Sequence, residues 1–518
     1  KTFRKHELSA MVGYEDYYAF WEKLSASRDQ YELTNFPYLD IGPENLRDNG
    51  GNAEEYAYRS FFGRIAYSYD NRYLLQVNFR RDGSSRFAPD SRWANFPSLS
   101  AGWVASEEQF IKNLDWNWLS FLKLRGSWGT LGNERITMSK DNTTVQNYYP
   151  YQSALNFGSA LFYSGNTVNS FLTAAQQYYA VRNISWETTE TWDIGLDANF
   201  LDGRLHFTGD FYKKKTKDML LALEIPKFIG YDNPSVNTGN MHTTGYDLEI
   251  GWRDQVGDFR YSVSANLSDF ISKMGNLGGT EFLGEKVKME GSQFDEWYGY
   301  LSDGLFQTQE EVDNSPKLNN NVTVGDIKYK DISGPDGVPD GKISSEYDRV
   351  LLGGSLPRYI FGGNINLDYK GFDLGITFQG VGKQLARITS DMAWRSAAWH
   401  TFPDFLDGNY FSHYNTDEQN ARARYPRVSQ EGYDGNNYDM SDFWLFNGAY
   451  FRLKNIVLGY TLPSSATKWL HVAKVRVYVS ATDPFSIDNY PKGWDPEAGS
   501  AGTAYITKAY HIGLSVKF

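Results

Sequence analysis

The residues with the clearest potential for metal chemistry lie in a glycine-rich acidic stretch, residues 331–348. Calcium loops combine closely spaced carboxylates, a glycine at the tight turn and a closing acid. Val338 and Tyr347 occupy positions where such a loop needs ligands. A turn-rich loop without a metal is therefore the stronger interpretation, and calcium is the weaker hypothesis. The carboxylates available for calcium are Asp336, Asp340 and Asp348.

Patterns typical of enzyme active sites are missing from the sequence. None of the seven histidines has a partner at the spacing of a zinc-hydrolase helix, and neither a nucleophile elbow nor a phosphate-binding loop occurs. The chain has no cysteine, which excludes disulfides and thiolate metal sites. We predict a protein that is not an enzyme and that needs no cofactor.

Aromatic side chains are concentrated in residues 394–414. Apolar ring faces with polar edges suit stacking on sugar rings, and they suit contacts with a peptide or a protein partner equally well. The alternative is that the rings pack the loop against itself. The side chains predicted to contact a substrate are Trp394, Trp399, His400 and Tyr410.

Four arginines surround the predicted loop that begins after residue 81. Such a group could bind an anion, but ion pairing with Asp82 and Asp90 is the favoured interpretation, because clustered charges are usually neutralised locally. The arginines concerned are Arg80, Arg81, Arg86 and Arg92.

Strands must position these residues, because apolar and polar residues alternate with period two along most of the chain. Residues 73–80 show the pattern, and so do residues 122–128, 246–252 and 475–481. The last strand, residues 510–518, alternates in the same way and ends on an aromatic residue. It resembles the closing strand of outer-membrane β-barrels, in which the terminal aromatic strand is part of the membrane-assembly signal. Its outward residues are Tyr510, Ile512, Leu514, Val516 and Phe518.

Connection lengths separate a membrane barrel from a soluble sandwich. We predict short turns at residues 70–71, 201–203 and 368–371, and long connections at residues 18–59, 130–189, 269–356 and 381–448. Short and long connections that take turns are typical of transmembrane barrels, which have tight periplasmic turns and long outer loops. A sandwich has no reason for this arrangement. The sequence predicts about fourteen strands of an antiparallel transmembrane β-barrel.

Composition narrows the class of partner. The net charge of the 518-residue chain is −12 and no basic block occurs, so nucleic acid is excluded as a partner. Aromatic residues reach 16%, as the aromatic girdles of a barrel at both membrane interfaces would require. The chain opens directly in a strand-like segment without an initiator methionine, which predicts that it is the C-terminal part of a longer protein.

Several segments, in order along the chain, together resemble one family, the SusC/RagA-like TonB-dependent outer-membrane nutrient transporters of Bacteroidetes. The segments are residues 67–87, 93–103, 122–133, 186–190, 298–306 and 352–357.

The resemblance implies that residues 1–518 are the C-terminal strands of a plugged barrel of about 22 strands. The plug domain and the TonB box would lie outside this chain, and the C-terminus would lie in the periplasm. It implies TonB-dependent import of oligomeric nutrients, with oligosaccharides favoured over oligopeptides. It also implies a SusD-like lipoprotein lid and a dimer of transporter–lid pairs. A passive porin and a secreted glycan-binding β-protein are the remaining alternatives.

Overall fold

In the computed structural model, fifteen strands of the described residues form one antiparallel sheet, and their order in the sheet follows the chain. The all-β prediction is confirmed, and the strand count exceeds the prediction only by the two-residue strand Thr2–Phe3. The structure describes residues 2–518 except 141–142, 154, 166, 177–178, 224–227, 229, 232, 280, 282, 389–405, 430–436, 470 and 499–505.

The strands of this sheet are β1 Thr2–Phe3, β2 His6–Arg28, β3 Arg47–Tyr69, β4 Tyr73–Ser84, β5 Trp93–Val104, β6 Leu119–Asn133, β7 Glu187–Phe200, β8 Leu205–Lys217, β9 Asn240–Val256, β10 Phe259–Met274, β11 Arg358–Tyr369, β12 Phe372–Lys383, β13 Tyr450–Thr461, β14 Lys474–Asp488 and β15 Ala509–Lys517.

Smaller elements lie in the connections. The helices are α1 Gln109–Lys112, α2 Gln309–Asn314, α3 Asp417–Arg422 and α4 Ser464–Trp469, and single 3₁₀ turns are Glu44–Leu46, Ala105–Glu107 and Asp442–Trp444. Within the described ranges, no helix has the length and apolar character needed to cross a membrane. The additional strands are Thr137–Lys140, Thr143–Gln146, Leu155–Ser164, Thr167–Gln176, Leu220–Ala222, Ser235–Asn237, Lys286–Val287, Glu296–Tyr300, Ser302–Leu305, Ile327–Tyr329, Arg349–Gly354, Leu385–Arg387 and Leu445–Asn447.

The chain forms two compact units. The first unit comprises Lys1–Trp103, Arg125–Asp193 and Lys214–Asn240. The second unit comprises Val104–Leu124, Ile194–Lys213 and Met241–Phe518.

The predicted tight turns are present, and the residues in them explain why they form. Asp70 and Asn71 both have φ of 55°, in the left-handed region that aspartate and asparagine tolerate better than other side chains. Leu201 to Gly203 also have positive φ, and Lys370 with Gly371 joins β11 to β12. These turns fix the register of the hairpins that they close.

The segment 18–59 was expected to be a long loop, and this expectation is wrong. β2 and β3 are each 23 residues long, and they pair without interruption from His6 opposite Tyr69 to Arg28 opposite Arg47. The polar start of β3 has no apolar face, so its sequence gives no strand pattern. Backbone pairing with β2 satisfies its amide and carbonyl groups and thereby makes it a strand.

The expected strict alternation of short and long connections also fails at one place. The connection between β4 and β5 covers residues 85–92, whereas the next one, residues 105–118, is longer and contains α1. The other predicted long connections are confirmed, because β6 ends at Asn133 and β7 begins at Glu187, and residues 275–357 and 384–449 each separate two sheet strands.

One face of the sheet is apolar and exposed in both units. In the first unit, Leu75, Val77 and Phe79 of β4 are 44–49% exposed. In the second unit, Ile512 and Leu514 of β15 are 85% and 65% exposed. Rows of exposed large apolar side chains require an apolar surrounding medium, because soluble proteins rarely expose such continuous patches.

Candidate functional site

In the second unit, two long connections, residues 275–357 and 384–449, contribute to one apolar core, which we call the loop core. Its aromatic and aliphatic side chains come from residues far apart in sequence, so they hold the two connections together. The buried members are Tyr300, Leu305, Ile327, Tyr329, Ile343, Ile388, Leu406, Phe411, Tyr425, Trp444, Phe446 and Tyr490.

Of the side chains predicted to bind a substrate, Trp394, Trp399 and His400 lie outside the described residues. Tyr410 is partly buried and packs against the loop core, where a β-bridge joins it to Tyr425. In the same segment Phe411 is only 3% exposed, whereas Tyr414 is fully exposed. The described part of the aromatic segment therefore both packs the loop and presents a ring to solvent.

A buried polar network lies beside the loop core and is centred on Asp326, which is fully buried. Its carboxylate accepts hydrogen bonds from Nδ2 of Asn437 at 2.8 Å, from the amide of Thr323 at 2.9 Å and from Nη2 of Arg427 at 3.2 Å. Nε of Arg427 lies 2.6 Å from Oδ1 of Asp326. These bonds join the two long connections by paired charge as well as by apolar contact.

Asn437 extends this network, which we call the Asp326 network. Its Oδ1 accepts from the amide of Ile327 at 2.8 Å, and its carbonyl accepts from Nε1 of Trp444 at 2.6 Å. Asn437 is itself fully buried, so every one of these groups needs a protein partner. The network was not predicted, because Asp326 and Asn437 are 111 residues apart.

Burial also controls ionisation in the loop core. Removal from water disfavours the charged phenolate, and it raises the pKa of Tyr300 to about 12 and the pKa of Tyr490 to about 12. An ordinary tyrosine is already neutral at physiological pH, so the raised pKa values reflect burial without changing the charge, and both rings act as packing groups.

The three carboxylates considered for calcium in the acidic stretch have different surroundings. Asp348 is 1% exposed, and its carboxylate accepts from the backbone amides of Ile332 at 2.9 Å, Ser333 at 3.2 Å and Ser344 at 2.7 Å. Asp336 and Asp340 are exposed. Among the residues that the structure describes, no three acidic or histidine side chains converge as a metal site would require. Asp348 instead organises the turns of its own loop.

We expect Asp348→Ala to loosen residues 331–348, because it leaves three partly buried amides without an acceptor, at a cost of about 1–3 kcal/mol. Hydrogen exchange of the full-length protein should show faster exchange at Ile332, Ser333 and Ser344. Asp336→Ala, at an exposed acid of the same stretch, is the control and should change little. Slower exchange on addition of calcium would contradict this structural role.

The arginine group near residue 80 is divided between the two faces of the sheet. Arg80 donates to Asp82 at 2.7 Å, which confirms that predicted ion pair, and to Glu15 at 2.8 Å, which was not predicted. Asp90 is exposed and forms no ion pair within the described residues, so the predicted pairing with it is not found. Arg86 donates to Gln146 at 2.9 Å and lies over two tyrosine rings. Arg81 lies on the apolar face, 5.5 Å from the Trp93 ring centroid. The group therefore does not form one anion site.

The sequence of this chain is similar to those of known receptors along almost its whole length. A TonB-dependent receptor, P3, of Formosa agariphila is 28% identical over 99% of this chain and 49% of its own length. The TonB-dependent receptor SusC of Bacteroides thetaiotaomicron is 27% identical over all of this chain and 49% of its own length. The chain thus spans about half the length of these relatives.

A solved structure has the same fold. The RagAB peptide transporter superposes with a TM-score of 0.77 at 23% identity, over all of this chain and 54% of that one. The family described as TonB dependent receptor-like, beta-barrel matches residues 5–483. Because that match extends over most of the sequence, the chain belongs to the TonB-dependent receptor β-barrels, a family of outer-membrane transporters and not of enzymes.

Proposed function

We propose that residues 1–518 form the C-terminal part of the barrel of a TonB-dependent importer of oligomeric nutrients. The plug domain and the TonB box belong to a part of the polypeptide outside this chain. The observation that carries the proposal is the loop core, because it shows that long connections between the sheet strands fold into one packed structure. A passive porin would need no TonB contact, and the family match favours the TonB-dependent alternative.

The C-terminus lies in the periplasm in this proposal, and the long connections lie outside the cell. The lengths of the connections support this orientation. The turns at residues 70–72 and 370–371 are short, whereas the connections that contribute to the loop core are long. Barrels of this class place tight turns in the periplasm and long loops outside.

An oligosaccharide is the favoured substrate, and an oligopeptide is the alternative. The polar face of the sheet carries charges that neutralise one another. In the second unit Lys123 lies 3.4 Å from Asp197, and in the first unit Arg125 lies 3.8 Å from Asp193. A polar wall whose charges are paired suits a neutral solute rich in hydroxyl groups better than a strongly charged one. The exposed ring of Tyr414 is suited to stacking on a sugar.

A SusD-like surface lipoprotein is the proposed partner, docked as a lid on the loops, and two transporter–lid pairs form the proposed dimer. The RagAB peptide importer has been solved in open-open and closed-closed states. A comparable lid on this protein would need a stable platform, and the Asp326 network with the loop core provides one.

Growth of a strain lacking the full-length gene, on a panel of purified glycans and peptides, tests the proposal. We expect growth to fail on one class of oligosaccharide and to return with the wild-type gene. A complementing gene without its TonB-contacting segment should not restore growth; restoration would favour a passive porin. Failure on peptides alone would replace the oligosaccharide assignment with the oligopeptide one.

A further inference from the structure

The apolar face of the first unit contains a groove at Gly63, which we call the Gly63 groove. Gly63 on β3 pairs with Val12 on β2 and with Phe79 on β4, so the missing side chain leaves a gap between two large neighbours. The groove has a volume of about 750 Å³. Its apolar lining includes Val12, Phe61, Ile65, Val77 and Phe79.

Aromatic rings and a cation form one end of the Gly63 groove. Phe61 stacks on Trp93 with ring centroids 6.2 Å apart, and Tyr14 lies 5.2 Å from Phe61. The guanidinium of Arg81 lies over Trp93. In the described part of the chain, Arg81 has no carboxylate within ion-pair distance, whereas its outward neighbour Arg59 is paired with Asp16 at 2.7 Å.

The position of Arg81 along the strand matches a membrane interface. Arg81 is eight residues after Tyr73, where β4 begins. At about 3.3 Å per residue and a strand tilt of about 40°, it lies about 20 Å along the membrane normal from the turn. The apolar band of such barrels is about 25 Å tall, and aromatic residues mark its edges. Measured from the turn, Arg81 lies within the band and about 5 Å from its far edge, a distance that its long side chain can span to reach lipid phosphates.

We propose that the Gly63 groove binds one membrane lipid with a phosphate headgroup, with an acyl chain beside Gly63 and the phosphate on Arg81. The largely apolar lining favours an acyl chain in the groove itself, and the unpaired cation at its end favours an anionic headgroup. Trp93 holds the guanidinium in place through its ring face. The proposal requires that this face of the sheet lies in the membrane, but it does not depend on which nutrient is imported.

Gly63→Leu tests the acyl-chain contact without disturbing the strand. A Cβ at residue 63 would lie 3.5 Å from the carbonyl oxygen of Met11 and 3.9 Å from Cγ1 of Val12, which are ordinary contacts. Gly126→Leu is the matched control, because Gly126 lies on the same face in another strand and its Cβ would also meet an ordinary contact, 3.7 Å from Asp193. Native mass spectrometry of the full-length protein in mild detergent, titrated with dimyristoyl phosphatidylglycerol, measures binding.

We expect the wild type and Gly126→Leu to retain one lipid more than Gly63→Leu. Arg81→Gln should weaken phosphatidylglycerol binding about tenfold, whereas Arg81→Lys should keep most of it, because a charged hydrogen bond is lost only in the first variant. Equal lipid retention by the wild type and Gly63→Leu would overturn the groove as the site. Unchanged affinity in Arg81→Gln would overturn the phosphate assignment. A wild-type dimer that Gly63→Leu separates, without bound lipid, would assign the groove to a second copy instead.

Discussion

Replacing Asp326 by alanine should open the loop core, with a loss of about 3–5 kcal/mol in the stability of that region. The substitution removes a fully buried carboxylate and leaves Arg427 and Asn437 without their shared partner. A buried charge that loses its counterion is among the most costly changes in a protein interior. We expect the β-sheet to remain folded, because the ladder hydrogen bonds between its strands do not involve this residue.

Hydrogen exchange of the full-length protein would measure the effect at Ile327 and at the indole of Trp444, both of which donate to Asn437. Asp303→Ala is the matched control. Asp303 lies in the same connection but is half exposed and pairs loosely with two lysines, 3.5 Å and 3.7 Å away. Such surface pairs contribute about 0–1 kcal/mol. Equal exchange in the two variants would show that the Asp326 network does not hold the connections together.

Deletion of Phe518 is expected to lower the amount of folded protein in the membrane severalfold, with little effect on the transport rate of each molecule that assembles. Phe518 is 92% exposed and follows the last paired residue of β15, Lys517. An exposed terminal residue contributes little to the stability of the folded sheet, so a large loss of yield must arise during assembly.

Quantifying folded protein in isolated outer membranes, together with uptake per folded molecule, separates the two effects. Phe518→Tyr keeps an aromatic ring at the terminus and should assemble like the wild type. A normal yield of folded protein from the shortened chain would show that the terminal aromatic residue is not recognised during membrane assembly. Equal losses of yield and of uptake per molecule would point to a role in the folded transporter.

The membrane-facing half of the fold could be predicted because strand geometry is local. Side chains alternate between the two faces of any strand, so the row from Tyr510 to Val516 specifies an apolar face before any partner is known. Turns are equally local, since Asp70 and Asn71 tolerate the left-handed backbone that the hairpin needs. The same logic failed for the ends of β2 and β3 farthest from the turn at residues 70–72, where pairing between strands, and not apolar alternation, makes the backbone extended.

The candidate site was less predictable, because its contacts join residues that are distant in sequence. The acidic stretch was correctly placed in a loop, but only the folded loop shows that Asp348 binds its own backbone amides. The pairing of Arg80 with Asp82 could be foreseen at a separation of two residues, whereas its pairing with Glu15 depends on the neighbouring strands. The resemblance of ordered segments indicated the family, which the match over residues 5–483 confirms.

By itself, the sequence determined the all-β class, the two faces of the sheet, most of the turns and the family, since each depends on alternation, turn chemistry or short motifs. The tertiary structure alone decided the union of two long connections through Asp326, Arg427 and Asn437, and the groove between Val12 and Phe79. A buried ion pair needs partners brought together across about a hundred residues of chain. The groove needs a glycine between large side chains of the two adjacent strands. Only the register of the strands determines which residues lie beside that glycine.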